Sequence, residues 1–475
     1  MSGRRGPAAK RRRRAAWAVC VGAAALAACS CSTYVGKSIE LRRQVARGDV
    51  DAALKTLEPL AKGGSRLLYL YERGLILHQE DRFEESNAVL DEAEKLLDDL
   101  YTRSISREAA ALLTNDAVVE YRGQRFEAAV LHYYRTLNFL YLGDLENAAV
   151  ECRRLDHRLQ VFRDDPSSFY TGDPFLTYVS GLVRAAAGEP GEADVSLRNA
   201  LAAYRADHAR YDVEIPGVLL CDLARNATRL GASDEAVEYA KEGGCEPSAP
   251  GAGSVTLFLE CGGIAYKGQT EILLPIYHTE ITDDLDKVAF ASTLASRRGW
   301  RPGQVETIKV DYILRVAFPQ LVPTPSGIAM ARVEAFPALK EGVAARPLQS
   351  CTTVRAANWT RLAQESFAED EAGIFVRATA RAFLKYLATH QTEKKHGEVA
   401  GWLVNALGVA TETADTRCWS TLPEQVLLAR FDLPPGTYRL AVGVQGRDGA
   451  VDLDFDIPDV VVRAGQNTFL SHRVY

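Results

Sequence analysis

Residues 125–158, RFEAAVLHYYRTLNFLYLGDLENAAVECRRLDHR, constrain the fold more than any other stretch of the chain. Val130, Tyr133, Leu137, Phe139 and Leu140 recur at helical spacing. Leu142-Gly143-Asp144 then breaks the pattern, and Leu145, Ala148, Ala149, Cys152 and Leu155 restart it. Two helices joined by a tight turn follow from this. Ala148, with Cys152 and Leu155 four and seven residues on, suits a second helix packed close against the first, because a bulky residue there would hold the axes apart.

The same grammar recurs on both sides. The segments 48–53, 81–86, 124–129, 143–148, 188–193 and 231–236 mostly share a Gly/Asp-type turn followed by a small residue. Gly74 and Gly181 stand twelve residues before Ser86 and Ala193. The pattern resembles the tetratricopeptide repeat (TPR), whose small residues sit at these offsets, and the resemblance covers residues 37–244. The small-residue spacings of 33, 43, 19, 45 and 43 are uneven, and the short one predicts that the helix near 126–141 closes one hairpin and opens the next. Such units bury their apolar faces by stacking, which leaves a curved inner surface for binding. On it we place Tyr134, Asn138 and Tyr141, a polar-aromatic stripe beside the apolar one, with Glu151, Arg153 and Arg154 on the partner helix as further candidate binding residues.

The first 28 residues carry seven basic residues and no acid, and an uncharged apolar run follows from Ala15 to Ala28. This is the form of an export signal, and fourteen residues are too few to span about 30 Å of hydrocarbon as a helix. Leu26-Ala27-Ala28-Cys29 resembles the lipobox of bacterial lipoproteins. The resemblance implies acylation of Cys29 as the new N-terminus and, with Ser30 behind it, an outer-membrane address facing the periplasm. Multiple acyl chains anchor where one does not. Without the leader, 49 Lys and Arg stand against 62 Asp and Glu, a net charge of −13, which excludes a general nucleic-acid binder. Among the cysteines no C-x-x-C pair occurs, and Cys152 and Cys221 fall on apolar helix faces as core residues. A disulfide is expected from Cys245 with Cys261 or Cys351 with Cys418.

Residues 245–253, dense in Gly and Pro, separate the helical part from a strand-rich one at 254–475. Period-two runs predict strands at 254–261, 270–275, 306–318, 328–336, 426–433, 438–444, 451–457, 460–463 and 468–474. A helical insert is expected at about 357–411, built from helices at 358–388 and 398–409. The predicted class is therefore α+β multidomain: signal 1–28, tether 29–36, a TPR-like solenoid 37–244, a linker, and a β-sandwich-like domain with inserted helices. Arg377, Arg381 and Lys385 lie four apart on one helix face and could grip an anion. Trp419, at the start of the last strands, reads as a plug between helix layer and sheet. Asp283, Asp284 and Asp286 lack the glycine and closing glutamate of a calcium loop.

No phosphate-loop, zinc-peptidase or serine-nucleophile motif lies in a suitable context, so no cofactor, metal or catalytic residue is assigned. The lipobox leader, the YLGDLENAAVECRR segment, the first strand GSVTLFLECG and the W-x-x-L-P segment before a P-G-T-Y turn together resemble a family of bacterial TPR-containing lipoproteins. That resemblance implies an envelope protein without assigned catalysis. The reading is a non-enzymatic scaffold, membrane-held through N-terminal acyl chains, whose groove docks another envelope protein. The alternative is a binder of envelope glycan or polymer with hydrolase activity.

Overall fold

In the computed structural model, the described residues are 34–102, 120–165, 170, 172–246, 249–277, 310–338, 346–396, 413–447 and 452–475. Cys29, the leader, Asp283, Asp284, Asp286 and the expected helix at 398–409 lie outside them. Ten α-helices come first among the described residues, as five hairpins: α1 (Tyr34–Ala46) with α2 (Val50–Leu57), α3 (Arg66–Gln79) with α4 (Phe83–Thr102), α5 (Arg125–Tyr141) with α6 (Leu145–Asp164), α7 (Pro174–Ala186) with α8 (Pro190–Tyr211), and α9 (Gly217–Arg229) with α10 (Ser233–Gly243). Each second helix starts where the turn grammar ends. At the central turn Gly143 has φ +75°, a region costly for side-chain-bearing residues, and Asp144 caps α6 by accepting from the Asn147 N–H at 3.0 Å.

The small residues are points of close approach. Ala53, Ser86, Ala148 and Ala193 are fully buried, and a Cβ added at Gly74 would come within 2.4 Å of the Leu90 side chain. Ser86 also donates to the Gly74 carbonyl at 2.7 Å, tying α4 to α3 at that contact. The uneven spacing has a simpler origin than a shared helix. Among the described residues α4 pairs with α3, and α5 opens a hairpin with α6 and packs on α4 from the side.

Ten strands and one further α-helix follow among the described residues. β1 (Gly253–Cys261), β6 (Val354–Asn358), β7 (Gln425–Leu433) and β10 (Asn467–Val474) form one sheet in the order β10-β1-β7-β6, with β1 parallel to β10 and antiparallel to β7. β4 (Ile328–Pro337), β5 (Gln349–Thr352), β8 (Gly436–Gly446) and β9 (Asp452–Val462) form a second, ordered β5-β4-β8-β9. The two sheets enclose a core of Val255, Leu257, Leu259, Ala331, Val333, Leu440 and Val442. β2 (Tyr266–Tyr277) and β3 (Val310–Val322) pair only with each other among the described residues, and the 38-residue helix α11 (Trp359–His396) packs on β3 through Ala378 and Ala382.

The other face of the first sheet carries Phe258, Leu428 and Phe469 into the same core as Leu68, Tyr71, Tyr133, Phe175 and Leu223 of the helices. β1 is thus covered on both sides, which explains why eight of its nine residues are buried where a half-exposed strand would alternate. Helices end at Gly243 and β1 opens at Gly253, yet the parts they separate share one apolar core.

The disulfide expectation is corrected. Cys221 of α9 bonds Cys245, just past α10, with 5.5 Å between their Cα atoms. The α9/α10 hairpin brings these residues to the same end, whereas Cys261 and Cys418 are buried as thiols and Cys351 is half-buried.

Candidate functional site

The helices that open four successive hairpins each contribute one buried acid toward the β half: Glu72 from α3, Glu127 from α5, Asp173 at the start of α7 and Asp222 from α9. Glu72 accepts from the Ser420 backbone N–H at 2.7 Å and hydroxyl at 2.8 Å, from the Thr421 N–H at 3.2 Å, and from the Thr421 hydroxyl. Glu127 accepts from the Trp419 N–H at 2.8 Å and, on its other oxygen, from Gln124 N–H at 2.8 Å and Tyr121 hydroxyl at 2.5 Å. Asp173 accepts from the Trp359 indole N–H at 3.0 Å and caps its own helix through the Phe175 N–H at 2.8 Å. Asp222 takes the Arg430 guanidinium at 2.6 Å, Arg225 at 2.6 Å and the Tyr178 hydroxyl at 2.5 Å.

Burial raises the Glu72 and Glu127 carboxyls above the ordinary range, with the hydrogen bonds from the Ser420–Thr421 and Trp419 segment acting in the opposite sense. Burial takes Asp173 up to about 6. Asp222 differs: burial pushes it up, but the Arg430 and Arg225 charges outweigh that and hold it low. Carboxylates held by fixed backbone donors and cations are fasteners. Each already spends its lone pairs on the chain itself.

Between Glu72 and Glu127 sits Trp419, fully buried and stacked on Tyr71 with ring centroids 4.6 Å apart. This indole joins the helix layer to the sheet layer, as its sequence position suggested. The polar-aromatic stripe meets the same surface. Tyr134 is fully buried and donates to Glu260 of β1 at 3.1 Å, while Tyr141 donates to the Ser471 hydroxyl of β10 at 2.7 Å. Asn138 is equally buried, donating to Ser86 at 2.9 Å and Asn87 at 3.0 Å with its oxygen 2.6 Å from His78 Nδ1. The expected open groove at these three residues is therefore corrected: the sheet half of the chain covers Tyr134 and Tyr141, because α5 faces β1 and β10, while Asn138 is taken up between helices by residues of α3 and α4.

Glu151 is buried also, in an ion cluster behind that face. His132 Nδ1 lies 3.0 Å from Glu151 and Nε2 3.8 Å from Glu94; Arg135 pairs with Glu94, with Glu151 at 3.1 Å and with Asp91 at 3.2 Å. Oxygen and nitrogen atoms of Glu94, His132 and Glu151 come within 4.8 Å of one another. A divalent ion fits poorly there. Arg135 already takes one oxygen of each glutamate, and the two ring nitrogens face different carboxylates. Arg154 pairs with Glu94 at 3.0 Å and Arg153 with Glu189 at 2.9 Å, both half-exposed, and they border an outer cleft of about 310 Å³ with Asp98, His157 and Arg158.

On α11, Arg377 is exposed, Lys385 is half-buried and Arg381 is 2% exposed. The three do not present one solvent face, because α11 turns the Ala378–Ala382 side, and Arg381 with it, onto β3. The buried acids and the His132–Arg135 cluster escaped the sequence reading. One local signal existed: Asp222, Arg225 and Asn226 stand on one face of an otherwise apolar helix.

No protein-family model matches the chain, and no curated protein matches it. Among solved structures, the crystal structure of MamA protein aligns with a TM-score of 0.28 and 13% identity over 43% of this chain and 87% of that one. Nearly identical TPR-like repeats from a Podosopora anserina kinesin light chain-type protein align with a TM-score of 0.29 and 15% identity over 44% and 91%. Likenesses at this level carry no argument about function; the helical-hairpin description rests on the helices themselves.

Proposed function

We propose that the chain is a non-enzymatic interaction scaffold of the cell envelope, in which a TPR-like solenoid and a β-sandwich-like domain with an inserted helix act as one body. The observation that carries this reading is the row Glu72, Glu127, Asp173 and Asp222: the inner helices spend their acids on holding the β half, a use that favours rigidity over acid–base chemistry. The body is held at the outer membrane, facing the periplasm, by acyl chains on Cys29. A protein partner docks on outward surface left by this arrangement, at the cleft bordered by Arg153 and Arg154, and the partner's contacting side chains are acidic.

Two comparisons test it. Cys29→Ser should move the protein from the membrane fraction to the soluble periplasm, and retention of the unacylated, signal-cleaved protein on membranes would remove the anchor. Arg153→Glu with Arg154→Glu, checked for an unchanged melting transition, should reduce envelope crosslinks to a defined protein. Retention on purified polysaccharide or peptidoglycan that depends instead on exposed Arg377 would favour the glycan-binding alternative.

A further inference from the structure

Asp222, Arg225, Asn226 and Arg229 stand at i, i+3, i+4 and i+7 on α9, a spacing that gathers them on one helix face. They line a cleft of about 230 Å³ between α7, α9 and the ends of β1, β7 and β10. Leu182 and Ala186 give it an apolar wall, and Asp432 and Asn467 a polar one. Two of the α9 charges are already engaged, since Arg225 bonds Asp222 and Asp432, each at 2.6 Å.

Arg229, one turn on, is different. It is exposed, its contact is a 3.4 Å bond to the Ala185 carbonyl, and no carboxylate pairs with it among the described residues. Asn226 is 1% exposed; its amide nitrogen donates to the Pro190 carbonyl at 2.9 Å and to Asp194 at 3.5 Å, which fixes the orientation of the amide. Its Oδ1 accepts from no donor among the described residues. Asn226 is thus held by α8, and Arg229 is the group left to meet a ligand.

We propose that this cleft binds a small aliphatic carboxylate, with the carboxylate on Arg229 and the aliphatic group against Leu182 and Ala186. The size fits. A space of this volume corresponds to roughly seven or eight water volumes of about 30 Å³, which suits a leucine-sized molecule and not a longer chain. The charge fits too, because Asp222 and Asp432 are offset by Arg225, which pairs with both, and by Arg430, which pairs with Asp222, and Arg229 remains as the surplus cation. Neither the array nor the sheets make this site alone, so it depends on the two halves being packed together.

The shared chemistry can come from an amino acid or from a branched short-chain acid, and calorimetric titration of the full chain with leucine, 4-methylpentanoate and leucinamide separates them. Saturable binding of leucine alone identifies the amino acid; equal binding of both acids identifies the carboxylate as sufficient. Leucinamide, which lacks the carboxylate, should not bind. Arg229→Gln should weaken binding by roughly tenfold or more, the usual scale of a lost charge-assisted bond, and being exposed it should leave the melting transition unchanged. Absence of saturable heat for both acids up to roughly 10 mM, leucinamide binding as tightly as leucine, or an unweakened Arg229→Gln would each overturn the proposal.

Discussion

Glu72→Ala is the most informative single perturbation of the contact between the two halves. The carboxylate is wholly buried and receives two backbone N–H groups and two hydroxyls from Ser420 and Thr421. Hydroxyls can rotate to new acceptors, but the two N–H groups are fixed by the chain path. Each stranded buried donor costs about 1–3 kcal/mol, so the gross loss is about 2–6 kcal/mol. Removing a carboxylate that burial already disfavours offsets part of it. We therefore expect a net destabilisation of about 3 kcal/mol, read by urea unfolding at neutral pH with an unchanged m-value. In a double-mutant cycle with Thr421→Val, the two changes should be clearly less than additive, because both remove the same bond. A loss below about 0.5 kcal/mol, the scale of an ordinary surface substitution, would show that Glu72 does not fasten the halves together.

Gly181→Leu should be far more disruptive than Gly143→Leu, since a Cβ at Gly181 would lie 2.6 Å from Leu197 while Gly143 has open space around it and suffers only its positive φ; melting temperatures would check this. Reduction of Cys221–Cys245, or Cys245→Ser, should cost about 3 kcal/mol by releasing a 24-residue loop, measured by unfolding with and without reductant. Stability should also carry two opposed pH terms. Burial lowers His78 to about 4, so its contribution is intact above about 6.5 and lost as pH falls toward 4, by about 3 kcal/mol. Asp173, raised to about 6, costs stability at neutral pH and returns a similar amount as pH falls from 6 toward 4. Asp173→Asn should therefore make acid destabilisation between pH 6.5 and 4 steeper than in the parent, and an identical pH profile would contradict the Asp173 assignment.

The hairpins were legible because their signals are local: Gly143 and Asp144 sit in the turn they specify, and Ala148 lies four residues from it. Most strands were legible for the same reason, but β5 and β6 were not, β9 joins the two runs read at 451–457 and 460–463, and the alternation read at 254–261 is a buried run in β1. What escaped is long-range. Glu72 and Ser420 are 348 positions apart, so nothing near either residue announces the other. The Tyr134 stripe illustrates the ambiguity of a second polar face on a helix, which serves equally for a partner molecule or for another part of the chain; here β1 supplies Glu260 and β10 supplies Ser471. The disulfide escaped because Cys245 reads as the first residue of the linker, with Cys261 as the next cysteine along the chain, while the turn of α9 into α10 carries it back beside Cys221.

The central claim is that the helical array and the sheets share one core through Trp419, Trp359 and the carboxylates around them. Equilibrium urea unfolding of the full chain, followed at once by helical circular dichroism and by tryptophan fluorescence, tests this most directly. The account predicts coincident transitions with one midpoint, because the indoles cannot leave the interface while the helices stay folded around it. Two separated transitions, with the helical signal lost at one denaturant concentration and the tryptophan signal at another, would contradict it.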